Sequence, residues 1–302
     1  MSRTPLIAVL ADVHGNSPAL RACLDYAEAR GATHYLFLGD YITDHPYPER
    51  TLELLREAAR RHDCRFIRGN REEYMINHRE NPGEWREGSC QGALLHCYER
   101  LSPEDLSWFQ QLPISGVWQL EGAPPLAYCH GSPETTRAEM RGDPESLEVL
   151  GRLQESFLIK GHNHRVWSIS HRGKRMACSG SVGAPVYSRS RREGPQAAPY
   201  AKTGVMTFLT LRKGAWYPQA VTVPYDWRET LDNLKASGLT ERAPIWAAML
   251  RHNVLTGEGP FPVVPSRAAR LYQAECGELL PWPQVPEAYW RKAARELEIE
   301  LY

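Results

Sequence analysis

This sequence predicts an α/β fold with a mostly parallel inner sheet, on three observations. Short apolar runs of strand type recur at Leu6–Ala11, Thr33–Leu38 and Cys64–Ile67. Helical stretches lie between them, so the order is βαβαβ. Each run stops at a polar turn built around glycine: Asp12-Val13-His14-Gly15, Gly39-Asp40 and Gly69-Asn70.

Leu6–Ala11 is unbroken apolar sequence, as a strand covered on both faces should be. Ser17-Pro18 supplies a cap and a proline suited to the first helical position, so a helix is expected over Ala19–Arg30, stopped by Gly31. Thr33–Leu38, Pro48–Arg61 and Cys64–Ile67 read as strand, helix and strand. Residues 71–111 read as helical, with Ser102-Pro103-Glu104-Asp105 as a capping signature. Strands then dominate, at Ile114–Leu120, Leu126–Cys129, Phe157–Ile159, Val166–Ser170 and Lys174–Cys178, the last two joined across Arg172-Gly173. Val205–Leu211 and Trp216–Val223 form another hairpin about Lys213-Gly214. From Pro224 the pattern is helical again, interrupted by Gly257–Pro265. The expected division is a main domain over 1–223 and a helical extension over 224–302.

Composition removes several function classes. The chain has 302 residues, with 36 Lys+Arg against 36 Asp+Glu, so its formal charge is zero. That argues against a protein whose main task is to coat nucleic acid or an anionic membrane. Hydrophobic residues at 42% and charged residues at 24% exclude wholesale disorder. The longest apolar runs, Leu6–Ala11 among them, fall far short of the roughly 20 residues a membrane helix needs. The N-terminal run lacks a small-residue cleavage site, and the seven cysteines form no C-x-x-C pair. A cytoplasmic protein with reduced thiols and no structural disulfide is expected.

The chemistry lies at the strand ends. Leu6–Ala11 runs into Asp12 and His14, the second strand into Asp40, the third into Asn70. Leu126–Cys129 runs into His130, and Phe157–Lys160 into Gly161-His162-Asn163-His164. Ligands of α/β sheets bind at that carboxyl edge. Two Asp, one Asn and four His make a nitrogen and oxygen donor set suited to Zn, Mn, Fe, Ni or Co. Seven side chains are too many for one catalytic ion and about right for two divalent ions sharing a carboxylate. Two such ions against two aspartates leave a net positive site, which welcomes phosphate.

Asp12-x-His14, Gly39-Asp40, Gly69-Asn70, His130-Gly131 and Gly161-His162-x-His164, in this order, resemble the calcineurin-like metallophosphoesterases, and most closely their small bacterial and archaeal phosphodiesterase branch. The resemblance covers about Leu6 to Val223. It implies a four-layer α/β/β/α sandwich with the metal centre between the sheets. It also implies that one ion takes Asp12, His14 and His164, the other takes Asn70, His130 and His162, and Asp40 bridges them. Gly180-Ser181-Val182-Gly183 matches a late loop of the family, with Cys178-Ser179 where the family usually has Asn-Pro. The reaction implied is attack on phosphorus by a hydroxide bridging the two ions.

One departure is informative. Many members of that family have a histidine after the asparagine, thought to protonate the leaving oxygen. This chain has Arg71-Glu72. Arginine stays protonated, so it cannot serve as that acid. It can clamp a phosphate oxygen, or simply pair with Glu72 or Glu73. Arg71, Asn70 and His130 are thus the candidates nearest the chemistry, and Asn16 and Arg71 the candidates to touch substrate. If Arg71 is structural, His45 or His78 is next in line for the leaving group.

Three further features have two readings each. Tyr41, His45 and Tyr47 either stack on a base or aryl group or pack their proline-rich loop. The stretch Tyr187–Thr203, with Arg189, Arg191, Arg192 and Lys202 against Glu193, is either a basic lid or a solvated loop. The apolar stripes of 224–302, which holds Trp227, Trp246, Trp282 and Trp290, either dock on the main domain or join copies of the chain. Phosphodiester or phosphoanhydride hydrolysis of a small phosphate ester or nucleotide is the leading expectation. Phosphomonoester or phosphoprotein hydrolysis comes second, and a non-catalytic protein-binding scaffold third.

Overall fold

In the computed structural model, which describes residues 5–83, 85–187 and 200–302, β1 (Ile7–Leu10) is buried along its whole length. It turns through Asp12–Gly15 into α1 (Ser17–Ala29). β2 (His34–Phe37), α2 (Pro48–Arg61) and β3 (Asp63–Phe66) repeat the unit. The three strands pair in parallel, Ile7 opposite His34 and His34 opposite Asp63. Such parallel neighbours need a covered crossover, which α1 and α2 provide.

The 71–111 stretch is three helices: α3 (Asn70–Glu80), α4 (Gly92–Tyr98) and α5 (Pro103–Gln111). Asn81-Pro82-Gly83 stops the first of them, since Pro82 disfavours helical backbone before it and Gly83 takes φ 111°. β4 (Ser115–Trp118), β5 (Leu126–Cys129), α6 (Pro144–Arg152), β6 (Phe157–Lys160), β7 (Val166–His171) and β8 (Lys174–Ser179) follow. The hairpin of β9 (Thr203–Arg212) and β10 (Ala215–Pro224) returns to the first sheet, β9 lying antiparallel to β1 with Leu209 opposite Ile7. The result is two five-stranded sheets, in the orders β10-β9-β1-β2-β3 and β4-β5-β6-β8-β7.

Alternation along the strands builds the layers. Ile7 and Val9 face inward with Leu36 and Leu38, meeting Leu126, Phe157 and Ile159 of the second sheet. Ala8, Leu10, Tyr35 and Phe37 face outward under α1 and α2. On the far side Ala127, Leu158 and Met176 pack against Leu150 of α6. This is helix, sheet, sheet, helix: the expected four-layer sandwich. The strands that carry candidate ligands therefore end at one edge.

The rest of the chain is helical: α7 (Trp227–Ala236), α8 (Leu239–Arg242), α9 (Pro244–Thr256), α10 (Val263–Cys276), a single 3-10 turn at Trp282–Gln284 and α11 (Glu287–Glu296). These helices share their own core, in which Leu234, Ile245, Trp246, Leu250, Val264 and Trp290 are buried. Among the described residues no helix is long and apolar enough to cross a membrane. Arg189, Arg191, Arg192 and Glu193 of the basic stretch lie outside the described residues. Lys202 is inside them, with its ammonium 4.6 Å from the centre of the Trp227 ring.

Candidate metal centre

The polar turns at the sheet edge bend through left-handed backbone. Asp12 has φ 53°, His14 51°, Asp40 54°, His162 72° and His164 57°. Each such conformation costs a non-glycine residue about 1–3 kcal/mol and persists only where the surroundings enforce it. Here the turns lace one another together. Asp12 and His14 donate their N–H groups to the carbonyls of Gly39 (3.1 Å) and Asp40 (2.9 Å). Val182 and Gly183 donate to Ala11 (2.9 Å) and Asp12 (3.0 Å), and the Ser181 hydroxyl donates to the Asp12 carbonyl at 2.7 Å. The Gly-Ser-Val-Gly loop is thus the strap that holds the Asp12-Val13-His14 turn. Gly183 must be glycine, because a Cβ there would overlap the Val13 carbonyl.

Two residues that sequence reasoning did not single out complete this scaffold. Glu72, fully buried, accepts N–H bonds from Gly69 (2.8 Å), Asp40 (2.9 Å) and Tyr41 (2.8 Å). It ties the loop after β2 to the start of α3 and so fixes Asp40. Burial, and then the Asp40 charge, push its carboxyl up to about 7. Its place in the first turn of α3 was a readable sign of a capping acid. Lys160, also fully buried, reaches the Gly161 carbonyl (2.9 Å) and the Asn163 side chain. It staples the His162-Asn163-His164 loop from below.

All seven candidate ligands come together. Asp12, His14 and His164 form one group and Asp40, His130 and His162 another, with the ligand atoms in each within 4.8 Å of one another. The Nε2 atoms of His14 and His164 are 2.9 Å apart. His130 Nε2 lies 3.4 Å from Asp40 Oδ2 and 3.2 Å from Asn70 Oδ1. Asp40 Oδ2 is also 3.9 Å from His14 Nε2, so this carboxylate faces both groups. Gly69 leaves the room for it, since a Cβ there would run into Asp40 and the His130 ring.

The donor set fits divalent cations. Metal-ligating histidines hold one ring nitrogen on a protein acceptor and present the other as a lone pair. Nδ1 of His130 lies 2.6 Å from the Leu38 carbonyl, Nδ1 of His164 lies 2.8 Å from the Ala184 carbonyl, and Nδ1 of His14 lies 2.9 Å from Asp44 Oδ2. The last contact is close but outside the geometry of a straight hydrogen bond. In all three rings Nε2 turns toward the shared space. Electrostatics divide the set: against burial, Asp40 raises the His130 imidazole to about 9 and Asp44 raises His14, so a cation at His130 would have to displace a proton, and burial raises Asp12 to about 6. Burial works to neutralise Asp40, yet His130, His14 and Arg71 hold it well below the usual carboxylate range. Burial drives the His164 imidazole well below its ordinary value and His162 to about 3, so both stay neutral and able to donate a lone pair.

Other candidates separate clearly. Arg71 pairs with neither Glu72 nor Glu73. Its guanidinium lies 3.4 Å from Asp44, and its backbone N–H donates to Asp40 Oδ1 at 2.8 Å. The side chain keeps 18% exposure, enough to meet a ligand at the rim. Asn16 is a correction. It is the cap of α1, in place of Ser17, and all four of its polar positions are used: Ala19 N–H and the Thr230 hydroxyl donate to Oδ1, while Nδ2 donates to the Gly183 carbonyl and the Tyr225 hydroxyl. It has no group left for a substrate. Tyr41 packs its loop, buried, with its hydroxyl between the Phe37 and Ile67 carbonyls. Tyr47 lies under Arg50, 4.0 Å from the guanidinium. His45 is buried, and burial pushes its imidazole down to about 4, so it holds no proton to give at neutral pH; His78 stacks on Trp85 at 4.0 Å.

Comparison with known proteins supports the same picture. The fold is similar to that of a hypothetical protein from Pyrococcus horikoshii OT3, with a TM-score of 0.65 at 21% identity over 84% of this chain and 99% of that one. It is also similar to a metallophosphoesterase from Sphaerobacter thermophilus, with a TM-score of 0.60 at 20% identity over 82% of this chain and 98% of that one. In sequence, an uncharacterized protein of Methanocaldococcus jannaschii is 23% identical over 177 residues, 59% of this chain and 70% of the relative. The match to the calcineurin-like phosphoesterases runs over residues 5–191, which takes in all seven candidate ligands, and the chain belongs to that family.

Proposed function

We propose that the chain is a dinuclear metal-dependent phosphoesterase acting on phosphodiester or phosphoanhydride bonds, with residues 1–223 as the phosphoesterase domain and 224–302 as its helical extension. The observation that carries this is the pair of three-residue donor groups with Asp40 Oδ2 facing both, 3.9 Å from His14 Nε2 and 3.4 Å from His130 Nε2. Asp12, His14 and His164 would hold one cation, Asn70, His130 and His162 the other, with Asp40 shared. Cations held there would offset charge on the phosphoryl oxygens and supply a nucleophile at neutral pH.

The chain's own groups give the preference among esters. Arg71 sits where it can bind a phosphate oxygen, and Asp44 on its far side keeps the guanidinium in place. It does not release its protons at any relevant pH. Nδ1 of His130 is engaged by the Leu38 carbonyl and Nε2 faces the donor cluster, which makes His130 a ligand in place of an acid. With no imidazole acid presented at the rim among the described residues, esters that depart without a proton are favoured: aryl diesters and anhydrides over alkyl monoesters.

The test is a substrate panel run separately with Mn²⁺, Ni²⁺, Co²⁺ and Zn²⁺: a bis-aryl phosphate, an aryl monophosphate, cyclic nucleotides, dinucleoside polyphosphates and a phosphopeptide. Faster hydrolysis of the diester and anhydride members is expected. A clear preference for the aryl monophosphate or the phosphopeptide would replace this reading with a monoesterase or phosphoprotein phosphatase. No hydrolysis with any metal would leave the scaffold reading.

A further inference from the structure

Helix α9 belongs to the extension, yet one of its faces touches the groups that back two candidate ligands. Trp246 and Asn253 are seven residues apart, two helical turns, and so point the same way. The Trp246 indole N–H donates to Asp44 Oδ1 at 3.1 Å, and the other oxygen of that carboxylate is the one 2.9 Å from His14 Nδ1. Asn253 Nδ2 donates to the Pro185 carbonyl at 3.0 Å. The preceding carbonyl, that of Ala184, is the one that holds His164 Nδ1 at 2.8 Å. Trp246, Asn253 and Asp44 are all more than nine-tenths buried, so these contacts are not diluted by solvent. The two imidazoles backed in this way are the pair whose Nε2 atoms meet at 2.9 Å. The second group is held differently: His130 by Leu38 at the end of the second strand, and Asp40 beside an N–H fixed by Glu72.

We propose that Trp246 and Asn253 are positioning residues for one cation site only, that of Asp12, His14 and His164, acting through Asp44 and through the Ala184-Pro185 backbone. This deepens the dinuclear reading and rests on it. The chemistry is that of an outer partner to a metal-ligating histidine. An acceptor on Nδ1 keeps the proton there, leaves Nε2 as the lone pair and fixes the ring plane. For His14 the group nearest Nδ1 is a carboxylate, 2.9 Å away though off the line of a straight hydrogen bond, and the indole N–H on its other oxygen helps to hold it there. The extension therefore sets the affinity of one ion and leaves the other to the sandwich.

The experiment is a calorimetric titration of the full-length, metal-free protein with Mn²⁺, repeated with Zn²⁺, for wild type and four variants, each with its metal-free melting temperature. Trp246→Phe keeps an aromatic ring against Phe261 and removes the N–H. Asn253→Ala removes the carbonyl clamp. Asp44→Asn changes the intermediary from within the sandwich, which keeps the test alive if an extension variant folds poorly. Trp290→Phe is the control, because that indole donates to Val285 inside the extension and reaches no ligand. Loss of an outer partner typically weakens metal binding 10–100-fold. The expected result is one of two ions weakened by about that factor in Asp44→Asn and by roughly tenfold in Trp246→Phe and Asn253→Ala, with the second ion unchanged and both unchanged in Trp290→Phe. Equal weakening of both ions, no weakening, or the same effect from Trp290→Phe would overturn the proposal while leaving the dinuclear reading intact. A wild type that binds neither metal would remove both.

Discussion

The sheet edge and the C-terminal extension are built by opposite means. At the edge, five of the seven candidate ligands hold left-handed backbone, and Thr43 and Asp44 beside them do the same. In the extension, Glu298 is the one non-glycine with positive φ among the described residues, and α9 and α10 end on glycines that accept the conformation freely, Gly257 at φ 72° and Gly277 at φ 81°. Buried polar groups divide in the same way. Aspartates, histidines, Asn70 and Glu72 crowd the edge, while among the described residues of the extension the buried polar side chains are Thr230 and Asn253, both uncharged, beside a core of Leu, Ile, Val, Met, Ala and Trp. Strain and buried charge are concentrated where cations would compensate them, and ordinary packing is left elsewhere. Substitutions in the two regions should therefore fail differently.

The largest effect is expected at the shared carboxylate. Asp40→Asn removes the charge that faces both donor groups and should lower hydrolysis of an aryl diester by about 10³-fold, the equivalent of several kcal/mol of lost charge stabilisation. Steady-state rates at saturating Mn²⁺ measure it, and a loss under tenfold would break the comparison. On the other side, Leu234→Ala in α7 empties a fully buried site of the extension core. It should cost about 2–5 kcal/mol of stability by urea unfolding, with Mn²⁺ affinity within about twofold of wild type. A large loss of affinity there would show that coupling to the donor groups is not confined to Trp246 and Asn253.

Arg71→Ala comes next. Losing one charge-assisted contact of about 1.5–3 kcal/mol should cut kcat/KM for an aryl diester by roughly 10–100-fold, with KM raised and kcat lowered, because a clamp touches phosphate before and during reaction. Arg71→His sharpens this: it should improve alkyl monoester hydrolysis and do little for aryl diesters. Unchanged diester kinetics in Arg71→Ala would mean that the guanidinium serves only Asp44.

The smallest effect lies at the seam. Helix α4 gives Ala93 to the extension core and Cys97 to the sandwich core, and between them His96 places Nε2 3.0 Å from the Pro46 carbonyl. Burial first, and Arg100 second, push the His96 imidazole down to about 4. The unfolded chain binds that proton near pH 6.5 and the folded one resists it. The contribution of His96 is thus complete above about pH 6.5 and lost as pH falls toward 4. His96→Gln should flatten the fall in melting temperature of the metal-free protein between those values by a few degrees, and an unaltered slope would remove His96 from the account.

Much of this is legible in the sequence, and the part that is not has a physical reason. Asp12, His14, Asp40, Asn70, His130, His162 and His164 announce themselves because each follows an apolar run, and strand ends are where parallel sheets present ligands. The layers follow from the same runs. Asn16 lies two residues from His14, yet as the cap of α1 it turns its side chain into the protein, which its place in the sequence does not show. Glu72 shows in the sequence only as an acid at the start of a helix; that it accepts from three loop amides depends on loops that meet in space. The Trp246–Asp44 contact spans 202 residues. No periodicity records such a pairing, and a tryptophan in an apolar helix reads first as core.

The most direct test of the central claim is metal content. Protein loaded with excess Mn²⁺, freed of unbound metal and analysed by elemental analysis, with the ions located by anomalous diffraction, should hold two ions per chain about 3.5–4 Å apart, with Asp40 between them and Asp12, His14 and His164 on one. One ion or none per chain, with the seven side chains splayed apart, would contradict it.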